Sequence, residues 1–318
     1  MTYQAPAWLP GGHLQTILPA LWMPRPAVAL RRERWQTPDQ DFIDVDFLDG
    51  QPGQPCVVLF HGLEGSSQSH YAQALMHALQ QRGWSGVIPH FRGCSGELNQ
   101  APRFYHSGDS AEINWILRRL HQQWRTQHTT ARFFAAGVSL GGNALLRWTG
   151  ESQHQASLAD AVCAVSAPLD LAQGGAALSG GLNMLYTRMF LKTLKPKCLQ
   201  KLRQFPGLFD QQRMLAAQNL YEFDNVVTAP LHGYRDTDDY WHRASARWIL
   251  NDIRIPALVL NARNDPFLPG QHLPRQAAQC VTLDYPQHGG HVGFATGAFP
   301  GKLDWLPQKI LGYFEQFV

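Results

Sequence analysis

From Phe133 an apolar run passes directly into Gly137-Val138-Ser139-Leu140-Gly141-Gly142, and Asn143 to Trp148 continue with helix-forming residues. That succession demands a strand, one sharp turn and a helix. Such a turn leaves room beside its central residue only where a Cβ is missing, which accounts for Gly137 and Gly141. A serine held there presents its hydroxyl above the sheet. The amide of the next residue, Leu140, and the positive end of the new helix then face any oxyanion formed beside it. Ser139 is the candidate nucleophile. The competing reading is a plain glycine turn that starts a helix. A base, an acid and a second oxyanion donor at neighbouring strand ends decide between the two.

The rest of the chain supplies candidates for each. Arg32–Thr37 and Phe42–Leu48 alternate about a Pro38-Asp39 turn signal, as two antiparallel strands do. Cys56–Phe60 is a continuous apolar run of the kind buried on both faces of a parallel sheet. It leads into His61-Gly62-Leu63-Glu64-Gly65-Ser66, where glycine freedom lets the Leu63 amide turn toward the serine, so Leu63 and Leu140 are the expected oxyanion hole. His61 is read as shaping this loop rather than as the base. A helix over Ser69–Arg82, a strand over Trp84–Pro89 and a second glycine loop at Gly93–Gly96 follow. Next come a helix after Asp109, the strand that carries the serine, and an apolar strand from Ala161 to Ala167. Strands alternating with helices predict an α/β fold with a mostly parallel central sheet, helices on both faces and ligands at the carboxyl ends of the strands.

Between residues 172 and 248 the rhythm changes to helix-like stretches and irregular loops, and the strand pattern resumes at Ile255–Leu260. The block reads as a helical cap inserted over the site. The expected division is an arm over residues 1–31 packed on the core, a first core part over 32–171, the cap over 172–248 and a second core part over 249–318. The arm, rich in Pro, Gly and Trp, has neither helical nor strand periodicity. Arg188, Lys192, Lys195, Lys197, Lys201 and Arg203 alternate with apolar residues, the pattern of a lid helix with one face on the core. A peripheral membrane contact by this cationic stretch is the second reading of it.

A serine hydroxyl barely ionises at neutral pH and needs a histidine base oriented by a buried acid. Asp265 stands on a tight loop just past Leu260, with Asp170 the rival acid. After Val281–Tyr285 comes Gln287-His288-Gly289-Gly290-His291. The two glycines permit the close approach that brings the His291 imidazole over the serine, and His288 is the rival base.

Bulk properties narrow the reading further. The 318 residues are 44% hydrophobic and 16% charged, a globular composition, and the formal charge of +3 is too small to argue for nucleic acid. Five cysteines form no Cys-x-x-Cys pair, and Cys56, Cys163 and Cys280 lie in apolar runs, as expected of reduced core residues in a cytoplasmic protein. The fourteen histidines show no ligand spacing, so no metal is expected. No stretch approaches the roughly 20 apolar residues of a membrane span, and no cationic leader precedes the apolar residues near the amino terminus.

Taken together, the chain resembles the YheT-type branch of the α/β-hydrolases, which also holds abhydrolase-domain lipases and yeast medium-chain ester synthase/esterases. The resemblance rests on Gly12-His13-Leu14-Gln15-Thr16-Ile17, His61-Gly62-Leu63-Glu64-Gly65-Ser66, His90-Phe91-Arg92-Gly93-Cys94, the Gly137–Asn143 stretch, Asn264-Asp265-Pro266 and Gly289-Gly290-His291. It implies the α/β-hydrolase fold and a serine esterase that cleaves small acyl esters without a cofactor. Ser139, Asp265 and His291 fall at the nucleophile, acid and base, in the α/β-hydrolase order. Two alternatives accompany this expectation: acyl transfer to alcohols by the same residues, and a non-catalytic binding module on the same fold.

Overall fold

The inner strands of the sheet form on the apolar runs. The computed structural model describes residues 2–318, and its centre is an eight-stranded sheet in the order β1-β2-β4-β3-β5-β6-β7-β8. The strands are β1 Arg31–Gln36, β2 Phe42–Leu48, β3 Cys56–Phe60, β4 Ser85–Pro89, β5 Phe133–Val138, β6 Ala161–Val165, β7 Ala257–Leu260 and β8 Val281–Asp284. β1 and β2 pair antiparallel, as does β2 with β4, and all other pairs are parallel.

Alternate residues of the central strands feed two separate cores. Val58, Phe60, Phe133 and Ala135 pack on one face with Ile113, Leu117 and Leu145. Val57, Leu59, Phe134 and Ala136 pack on the other with Leu75, Leu79, Ile310 and Phe314. The helices responsible are α3 (Ser110–Gln127) and α4 (Leu140–Ser152) on the first face, with α2 (His70–Arg82) and α11 (Trp305–Phe314) on the second. β3, β5 and β6 are buried along their whole length, which is why they read as unbroken apolar runs. β8 is different: it is the sheet edge and half-exposed, so its apolar pattern is weaker than an inner strand's.

Between β6 and β7 lie six α-helices: α5 (Leu171–Leu178), α6 (Met184–Gln204), α7 (Gln211–Ala216), α8 (Leu220–Val226), α9 (Thr228–Leu231) and α10 (Thr237–Ala244). They hold their own apolar cluster around Leu191, Met214 and Phe223. Of the six cations on α6, three turn inward. Lys201 is wholly buried and donates to the carbonyls of Asn99 and Ala101 at 2.5 and 2.9 Å, and desolvation lowers its pKa to about 8. Lys197 pairs with Glu64 at 2.8 Å, and Lys195 donates to the Leu215 and Ala217 carbonyls. Arg188, Lys192 and Arg203 face solvent. Among the described residues no helix is long and apolar enough to cross a membrane.

The arm departs from the sequence expectation. Where no periodicity was legible, residues Gly11–Leu21 form a helix, α1, with Pro19 inside it and no side-chain cap. Two glycines at the start and a proline near the end are poor helix formers, and tertiary contact overrides that propensity. Gln15 and Thr16 are almost fully buried against loops from the far end of the chain. Pro19 has no N–H to give the Gln15 carbonyl, and Gly293 approaches that oxygen so closely that a Cβ there would stand 1.8 Å away.

Candidate active site

Parallel register brings the carboxyl ends of the central strands into one row. Phe60 is level with Gly137, Val138 with Val165, Val165 with Leu260, and Leu260 with Asp284. Every loop that follows these strands therefore opens at the same rim, and the candidate residues of the sequence all sit on those loops.

Ser139 occupies the turn between β5 and α4 with φ 52° and ψ −121°, a conformation that L-residues rarely adopt. The turn closes only because its glycines lack a Cβ. One added to Gly141 would lie 2.4 Å from the His61 carbonyl, and one on Gly137 would lie 2.5 Å from the Gly141 carbonyl.

His291 accepts from Ser139 Oγ at Nε2, 3.0 Å away, and donates from Nδ1 to Asp265 Oδ2 at 2.9 Å. Asp265 is 2% exposed, and its other oxygen accepts the Phe267 amide at 2.8 Å. The carboxylate can only accept, which puts the imidazole proton on Nδ1 and leaves Nε2 free as a base. Phe267 stacks on the imidazole with centroids 3.9 Å apart and planes 13° from parallel, so the ring is held by packing as well as by hydrogen bonds.

Neither rival shares this arrangement. Asp170 caps α5 through the Gln173 amide and pairs with Arg247. His288 is exposed, with Asn264 Nδ2 3.5 Å from its Nδ1.

On the other side of the serine, the Gly62 amide donates to Tyr71 Oη at 2.9 Å and the Glu64 amide to Tyr105 Oη at 2.8 Å. The Leu63 amide between them has no hydrogen-bond partner among the described residues. The Leu140 amide is the first of α4 and has no intrahelical acceptor. His61 is fully buried. Its Nε2 accepts the Phe91 amide at 3.0 Å and its Nδ1 donates to the Gly62 carbonyl at 2.8 Å, which ties this loop to the one after β4.

Sequence reasoning missed what holds these loops in place. Gln15 Oε1 accepts from the Gly289 amide at 2.8 Å and from Asn264 Nδ2 at 2.9 Å, so one side chain clasps both the Asp265 loop and the His291 loop. Thr16 Oγ1 accepts the amide of His291 itself at 2.8 Å. The Gly-His-Leu-Gln-Thr-Ile motif pointed to this stretch, but nothing in it named the partners. Tyr71 and Tyr105, which engage the amides flanking Leu63, carried no sequence signal.

Above the serine lies a cavity of about 1120 Å³, its open mouth included. Core loops contribute Leu63, Leu140 and Phe267, while α5, α6 and α8 contribute Leu178, Phe190 and Phe223.

Four imidazoles in or beside the site are held neutral. Desolvation lowers His61, His106 and His232 to about 3 and His70 to about 4. In the unfolded chain each takes up a proton below its ordinary value of about 6.5, whereas the folded protein refuses it until far lower pH, so acid favours unfolding. Burial works the other way on two carboxyls: it raises Asp224 to about 6 and also raises Glu112, and both favour the fold as they protonate. The histidines prevail. Chemical denaturation should show stability falling from pH 6.5 toward 4, by about 2–3 kcal/mol per pH unit at the steepest. A flat profile over that window would show that these imidazoles are protonated in the fold.

A strand-elbow-helix serine at the carboxyl edge of a mostly parallel sheet, with an imidazole and a carboxylate on later loops, defines a class of enzyme fold. The sequence model of the alpha/beta hydrolase fold matches residues 55–298, and the chain belongs to the α/β-hydrolase family, in its YheT-type branch. It is 38% identical to YheT of Escherichia coli (strain K12), which carries an esterase designation, over 94% of this chain and 88% of that one. With the phospholipase ABHD3 of Mus musculus it shares 30% identity over 100% of this chain and 78% of the relative. Among solved structures, the Pyrococcus furiosus esterase Pf2001 superposes with a TM-score of 0.59 at 16% identity, over 91% of each chain, a likeness of fold alone.

Proposed function

We propose that this hydrolase cleaves carboxylic acyl esters through an acyl-enzyme on Ser139, with His291 as general base and then acid and Asp265 as its orienting carboxylate. The observation that carries the reading is the pair of hydrogen bonds through one imidazole, 3.0 Å to the serine and 2.9 Å to the buried acid. His291 takes the Ser139 proton as Oγ attacks the ester carbonyl. The Leu63 and Leu140 amides stabilise the tetrahedral oxyanion, and the imidazolium protonates the departing alcohol. Water activated by the same Nε2 then releases the acid. The names of the relatives, an esterase and a phospholipase, support ester cleavage. The helices between β6 and β7 act as the cap that shapes the acyl pocket, supported by the apolar side chains they contribute to the cavity.

A fluorophosphonate probe tests the reading directly, because it reacts only with an activated serine. The intact protein should be labelled and Ser139→Ala should not. Labelling that persists in the variant would move the nucleophile elsewhere.

A further inference from the structure

Four charged side chains line the cavity above Ser139: Glu64, Arg92, Lys197 and Asp224. Three of them are compensated. Glu64 and Lys197 pair with each other at 2.8 Å, and Arg92 meets Asp39, Asp41 and Glu112 at 2.8, 2.9 and 2.7 Å. Asp224, on α8, accepts one hydrogen bond at each oxygen, from Thr228 Oγ1 at 2.6 Å and Trp241 Nε1 at 2.8 Å. No cation lies within ion-pair distance of it among the described residues, and desolvation raises its carboxyl to about 6 with no positive charge opposing the shift.

A carboxylate can accept about four hydrogen bonds, and two of these places are unused here. Joining α8 to Thr228 and Trp241 requires only a neutral acceptor, such as an amide oxygen. An ionised group without a counter-charge, half-buried in a largely apolar cavity, is left under-solvated by two hydrogen bonds and gains from a further donor. That donor's place is in the cavity, which Asp224 shares with Ser139.

We propose that Asp224 is a substrate-recognition residue whose carboxylate accepts a hydrogen bond from a hydroxyl or ammonium group that the ester carries away from its scissile bond. The cavity thus selects donor-bearing acyl esters over plain alkyl ones. This inference rests on the proposed serine chemistry at Ser139.

Matched esters test it on the full-length protein. On the acyl side the set is 1-naphthyl hexanoate, 6-hydroxyhexanoate and 6-aminohexanoate; on the alcohol side it is propyl hexanoate and monohexanoylglycerol. In at least one set the donor-bearing ester should have a kcat/KM about 10- to 100-fold above its plain partner, the range for a hydrogen bond to a charged group. Asp224→Ala should erase that preference while turnover of the plain ester stays within about threefold. The set that responds tells which side of the ester carries the donor, and the hydroxyl and amino arms tell its chemistry.

Should Asp224→Ala fail to fold, Asp224→Asn keeps an acceptor for the helix tie and removes the charge, so the preference should still fall sharply. Thr228→Val, which keeps the carboxylate, should retain the preference. The absence of any preference in the natural protein, or a preference unchanged in the Asp224 variants, overturns the proposal. Failure of the underlying serine reading looks different: 1-naphthyl hexanoate would be turned over equally by Ser139→Ala.

Discussion

Ser139→Ala should lower kcat on a short p-nitrophenyl ester by about 10⁴-fold or more, with the folded state intact. The proposed mechanism routes every covalent step through this hydroxyl, and removing one member of such a set leaves only what binding and the oxyanion donors contribute. The substitution also relieves little strain, because alanine keeps the Cβ that the φ of 52° disfavours. Thermal stability should therefore be nearly unchanged. Steady-state kinetics checks the first expectation and a melting curve the second, and full turnover in the variant would refute the assignment.

Gln15→Ala should be the most damaging change outside the reacting residues, lowering kcat about 10²-fold with a smaller change in KM. Its side-chain oxygen joins the Gly289 amide to Asn264, and these flank His291 and Asp265. Without it both loops lose a buried acceptor, and the imidazole is free to drift relative to Ser139. Displacement by as little as about 1 Å is enough for a loss of that size. Gln15→Glu keeps the oxygen acceptor toward Gly289 and Asn264 and should recover part of the rate. It does so at some cost in stability, because Gln15 Nε2 donates to the Leu9 carbonyl and a carboxylate cannot. A purely structural role for Gln15 would instead lower the melting temperature and leave kcat per folded molecule untouched. Kinetics normalised to active-site titration separates the two.

Much of this architecture was legible in the residues themselves. β3, β5 and β6 are buried on both faces, so apolarity alone marked them, and the glycines at 137 and 141 marked the turn because no other residue fits it. The change of rhythm from residue 172 marked the helical block, since helices that pack among themselves lose the strand-helix alternation. Helix α1 was hidden for an equally physical reason. Its glycines and proline have low intrinsic propensity, and what makes it helical is burial of Gln15 and Thr16 against segments that no local window contains. The direction in which Asp224 faces was hidden too, because a carboxylate on a short helix reads the same whether it meets solvent or a cavity.

Local pattern determined which segments become strand, turn and helix, and which chemical groups stand at each strand end, because both depend on a residue and its near neighbours. Tertiary structure decided which of those groups meet. Parallel register set the loops after β3, β5, β7 and β8 along one rim. A helix from the start of the chain then bolted the last two of them together, through a hydrogen bond between residues 274 positions apart. Such a contact forms only once the sheet exists to hold both partners, and no periodicity in the sequence records it.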